Sequence, residues 1–172
     1  MPLSVNWDAV SAYSEVIGAA AVVISLVYLA LQIRQNTKAI RGSTLDAITA
    51  HMQEELRWSS EMPVVFKKAM EDPATLTYEE AWALSEWVTA AFTARQNEYY
   101  QYQQGMLDEE VWEGIENIIR LLMGISWIRD WWQDYGRKQL GRSFVGKVES
   151  LAQPAERDVA AELSSVFNRS GT

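Results

Sequence analysis

The stretch that decides the fold is VIGAAAVVISLVYLALQI, residues Val16–Ile33, followed at once by RQNTKAIR at 34–41. It holds no Asp, Glu, Lys, Arg or His, and an uncharged apolar run of about 18 residues or more is long enough to cross roughly 30 Å of hydrocarbon as a helix. Its interior polar groups, Ser25 and the Tyr28 hydroxyl, can bond to the helix's own carbonyls or reach a neighbouring helix. The flanks set a direction. Asp8 and Glu15 precede the run without any Lys or Arg, whereas Arg34, Lys38 and Arg41 follow it closely. By the positive-inside rule the amino terminus is expected outside and the remainder in the cytoplasm. The three cations form a collar among anionic lipid headgroups, each worth roughly 1 kcal/mol there.

Two rival readings of the run are weaker. A buried helix of a soluble domain would not change so abruptly to a basic, polar sequence. A cleaved signal peptide needs a positively charged start, and MPLSVNWDAVSAYSE is acidic. Trp7 and Tyr13 stand at the right depth for interface anchors, while Trp58 is too far along. Gly18, Ala21 and Ser25 recur at spacings of three and four, giving the span a small face along which helices can approach closely in lipid. A homo-oligomer touching through these residues is expected.

The length of 172 residues accommodates one span plus one compact domain. The expected organisation is an extracytoplasmic segment (1–15), a transmembrane helix (16–33), a juxtamembrane helix (34–60) and a cytoplasmic helical domain (61–172). Lys and Arg number 15 against 23 Asp and Glu, a formal charge of −8. Such an acidic domain repels phosphate backbones, so nucleic acid is not an expected partner. The absence of cysteine removes disulfides, thiol nucleophiles and Cys-ligated metals. Eight Trp and seven Tyr mean that the domain buries large flat side chains.

Along the chain, helical periodicity dominates and no stretch alternates at period two, so the expected fold is all-α. The span should run on as helix past Gly42, with Leu45, Ile48, Met52 and Leu56 as its apolar stripe, until Pro63 interrupts it. A short helix over Val64–Met70 and a turn at Asp72-Pro73 follow. The longest soluble helix opens at Thr77, with Glu80 completing a capping box, and ends at Gly105. Its core arc contains Ala81, Leu84, Trp87, Val88, Ala91, Phe92, Tyr99 and Tyr102. Asp108 caps a helix with the stripe Val111, Trp112, Ile115, Ile118, Ile119 and Leu122, ended by Gly124. Ser126 is expected to cap a short helix carrying Trp127, Trp131, Trp132 and Tyr135, closed by Gly136; the three tryptophans read as core. A segment over Phe144–Leu151 and, after Pro154, an amphipathic helix with Val159, Leu163, Val166 and Phe167 complete the chain.

Arg95 and Glu98 lie within the apolar arc, one turn apart, and burying an unpaired charge there would cost several kcal/mol. They are expected to form a structural ion pair, with the Tyr99 and Tyr102 hydroxyls completing its hydrogen bonds. The functional alternative is a polar pocket in which Arg95, Glu98, Tyr99 and Tyr102 bind an anionic ligand. His51 is the sole histidine; His51-x-x-Glu54 offers too few ligands for zinc or a di-iron site, so neither a metal nor another cofactor is expected. The adjacent pairs Glu54-Glu55, Glu79-Glu80 and Glu109-Glu110 read as caps and surface. No nucleophile elbow, phosphate-binding loop or H-E-x-x-H motif is present, so no catalytic residue is assigned.

SLVYLALQIRQNT at 25–37, preceded by Trp7, and RQNEYYQYQQGMLDEEVW at 95–112 together resemble a group of small bacterial membrane proteins without an assigned function. The resemblance implies an inner-membrane protein with one span and a helical cytoplasmic domain, and it implies no activity. The expectation is therefore a non-enzymatic, membrane-anchored helical protein that self-associates or docks an unidentified protein partner. The alternatives are an oligomeric conduit and a ligand sensor or enzyme acting at Arg95 and Glu98.

Overall fold

The computed structural model describes residues 6–152, and the chain divides into two compact units, Met1–Ser43 and Thr44–Thr172. The expected helix at Val159–Phe167 lies outside the described residues. Within them the fold is all-α and contains no strand. The helices are α1 (Trp7–Glu61), α2 (Pro63–Glu71), α3 (Tyr78–Gln103), α4 (Glu109–Gly124), α5 (Ser126–Asp134) and α6 (Arg142–Leu151), with 3-10 turns at Pro73–Thr75 and Gly136–Lys138.

In the first unit every residue of Val16–Ile33 is exposed. Helix α1 is long and apolar enough to span a membrane, its most apolar window reaching a mean hydropathy of 2.4 with none of it buried. Its polar side chains turn inward on the helix: Ser25 Oγ donates to the Ala21 carbonyl at 2.8 Å, Gln32 Nε2 donates to the Tyr28 hydroxyl at 2.9 Å, and Thr37 Oγ1 donates to the Ile33 carbonyl at 2.9 Å. Backbone and side chains alike thus satisfy much of their hydrogen bonding without a neighbour, which is what hydrocarbon demands of a helix.

The second unit is built around α3. Thr77 and Glu80 form the expected capping box, Thr77 Oγ1 accepting from the Glu80 N–H and Glu80 Oε2 from the Thr77 N–H. At the other end Gly105 takes φ +70°, a backbone state open to glycine. The Met106 and Gly105 N–H groups then reach the Gln101 and Tyr102 carbonyls, both at 2.9 Å, in a Schellman motif. Between these ends Leu84, Val88, Ala91 and Phe92 are buried. Ala81, expected on the same face, is exposed, because it stands only one turn into the helix.

The other elements gather on α3 through large side chains. Trp87 meets Phe66 of α2 edge-on at 5.0 Å and donates its indole N–H to the Glu55 carbonyl of α1 at 3.3 Å. Phe92 packs on Trp131 and Trp132 of α5 at 5.9 and 4.9 Å. Tyr99 packs on Trp112 of α4 and Phe144 of α6 at 5.5 and 5.8 Å. The α4 stripe is buried as expected at Trp112, Ile115, Ile119 and Leu122, with Val111 and Ile118 half-buried. Trp132 is fully buried, and Trp127 and Trp131 pack against the same core. Two local expectations shift. Ser126 is the first residue of α5, and Ile125 occupies the cap. On α1 Ile48 is buried and Met52, Glu55 and Ser59 on the same side are half-buried, while Leu45 and Leu56 are exposed.

Candidate functional site

Spacing within α3 places Arg95 and Glu98 on its buried face, and the packing of α1 against that face supplies a third charge. Arg95 is 0 % and Glu98 2 % exposed. Arg95 Nε lies 2.7 Å from Glu98 Oε2, out of line for a hydrogen bond, and Nη2 donates to Glu98 Oε1 at 3.1 Å. The same Nη2 reaches Glu55 Oε1 at 3.3 Å. Two carboxylates therefore share one guanidinium in a largely dry setting. Burial pushes the Glu98 carboxyl up to about 7, against the pull of Arg95 and with repulsion from Glu55 adding to it. Glu55 is raised too, again chiefly by burial.

This arrangement corrects two expectations. The tyrosine hydroxyls do not complete the ion pair: Tyr99 bonds to Ser143 and Gln103, and Tyr102 donates to Glu109 at 2.6 Å. Glu55, expected at the surface, is the residue that joins it. A carboxylate on a helix flank carries no mark of burial in sequence; the one available signal was an arginine inside an apolar arc, whose charge needs partners from another helix. Because Arg95 is enclosed by carboxylates of its own chain, an anion would have to displace one of them to reach it.

Beside the cluster runs a groove of about 610 Å³. Its α1 wall is His51, Glu54, Glu55 and Trp58. Its α3 wall includes Glu86, Trp87, Ala90, Thr93, Ala94 and Asn97. A smaller hollow of about 280 Å³ adjoins it through Trp58 and Glu86 and adds Glu61. Neither is lined by Arg95, Glu98, Tyr99 or Tyr102, and neither by any Lys or Arg. Arg57 lies near, holding Glu54 at 2.6 Å and Glu61 at 2.8 Å. His51 is exposed, and no group of three or more His, Asp or Glu placed to hold a metal occurs among the described residues.

The remaining residues singled out by sequence lie in the first unit. Gly18, Ala21 and Ser25 are exposed, and a Cβ built on Gly18 would meet nothing within 4 Å. Arg34, Lys38 and Arg41 follow the apolar run, also exposed. No protein-family model, curated protein or solved structure matches this chain.

Proposed function

We propose that this chain is a single-span protein of the bacterial inner membrane, with its amino terminus outside and its helical bundle in the cytoplasm. The bundle acts as a non-enzymatic module through which the protein self-associates or docks a partner at the membrane. The observation that carries the reading is the uncovered run Val16–Ile33, in which the Ser25, Tyr28 and Gln32 side chains bond within their own helix. An apolar surface of that length is covered by lipid or by protein, and internal pairing of its polar groups favours lipid. The collar of Arg34, Lys38 and Arg41 supports the orientation.

The open face along Gly18, Ala21 and Ser25 supports contact between spans, since small residues let backbones approach. The conduit reading is disfavoured by the same hydrogen bonds, because Ser25 and Gln32 are the groups a water-filled axis would need and both are engaged within the helix. Crosslinking in native membranes, followed by purification and subunit counting, tests the proposal. Dimers or higher species crosslinked through 18–25, or a stoichiometric co-purifying protein, are expected. A lone monomer with no associated protein overturns it.

A further inference from the structure

We propose that the groove between α3 and the 51–58 segment of α1 is a binding site for an organic cation with a flat apolar body. The charge of its lining points to a cation. Glu54, Glu55 and Glu86 line the groove, Glu61 lines the adjoining hollow, and His51 is the sole basic side chain on either wall. Arg57 offsets part of this charge at Glu54 and Glu61, and Glu55 answers Arg95. Glu86 is exposed and has no ion pair among the described residues. A carboxylate beside two indoles, Trp58 and Trp87, combines charge attraction with the ring faces that favour ammonium and aromatic cations.

The size of the groove points to a small molecule. A volume of about 610 Å³ falls in the range of ligand pockets, roughly 300–1,000 Å³. On the α3 wall Ala90 and Ala94 leave a small-residue apolar strip, with Thr93 and Asn97 available to orient polar edges of the ligand.

The test uses the full chain in nanodiscs of neutral phosphatidylcholine, with ethidium and berberine, two planar aromatic cations, as probes. Anilinonaphthalene sulfonate serves as an anion of similar size. Saturable binding of a cation at one per chain is expected, weakened at least fivefold in Glu86→Gln and abolished in Ala90→Trp, which obstructs the groove midway along its α3 wall; the anion should not compete. Glu86 and Ala90 are exposed, so both variants keep the core intact. The proposal fails if neither cation saturates, if Glu86→Gln binds as the parent does, or if the anion competes equally. It also fails if a photo-crosslinking residue in place of Ala94 captures a second copy or residues 153–172, because the groove is then already occupied by protein.

Discussion

Glu98 gives the bundle a pH dependence whose sign and size follow from its surroundings. Its carboxyl is raised from 4.5 to about 7, first by burial, with Arg95 opposing and Glu55 reinforcing the shift. Between these values the folded chain holds a proton that the unfolded chain has released. The resulting stabilisation is fully present below about pH 4.5 and is lost as the pH rises through about 7. A shift of that size corresponds to roughly 3 kcal/mol, or about 6–12 °C in melting temperature for a chain of this length. Glu55 is raised as well and acts in the same direction. Melting curves of the full chain in detergent, from about pH 5 to about pH 8, should show the midpoint falling as pH rises.

Two substitutions separate the contributions. Glu98→Gln should flatten the profile and match or exceed the parent near pH 8, since Arg95 then faces one carboxylate, Glu55, and the pair is matched. Arg95→Met should cost about 3–5 kcal/mol near pH 8, because the buried Glu98 and half-buried Glu55 carboxylates lose their cation, and should recover on acidification as they take up protons. A parent midpoint that is flat across this window, or a Glu98→Gln variant that keeps the full slope, would refute the reasoning.

Two glycines should respond oppositely to alanine. A Cβ at Gly136 would sit 2.2 Å from Trp131 Cζ3, and that ring is held by Phe92 and by its hydrogen bond to Ser85, so Gly136→Ala should destabilise by about 1–3 kcal/mol. Gly146 lies inside α6 with nothing near its would-be Cβ, and Gly146→Ala should stabilise by about 0.5–1 kcal/mol; thermal melts of the two variants decide both. Thr77→Ala removes half of the capping box and should cost about 1 kcal/mol, read as faster amide exchange in the first turns of α3.

Local chemistry made much of this architecture legible. Thr77 with Glu80, Gly105, and Pro63 each mark a boundary through capping, a left-handed backbone state or a lost N–H, and none of these depends on tertiary context. The uncharged run 16–33 and the α4 stripe follow from composition and period alone. The apolar stripe on α1 did not translate into burial at Leu45 and Leu56, because its buried side follows α3. There Arg95 draws in Glu55, and Ile48 and Met52 share that side. The tyrosine hydroxyls bond away from the ion pair for a related reason: their partners Ser143 and Glu109 come from elements whose approach no single-helix pattern specifies. The groove depends on two helices at once and was invisible for that reason.

The central claim, that lipid covers residues 16–33 and that the bundle lies in the cytoplasm, can be tested directly because the chain contains no cysteine. Single cysteines replacing Asn6 or Ser150 are labelled in intact bacterial spheroplasts with a membrane-impermeant maleimide, and the membranes are then extracted at alkaline pH. The account predicts that position 6 is labelled from outside, that position 150 is labelled only after permeabilisation, and that both variants stay in the membrane pellet. Release into the soluble fraction, or labelling of position 150 in intact spheroplasts, would contradict it.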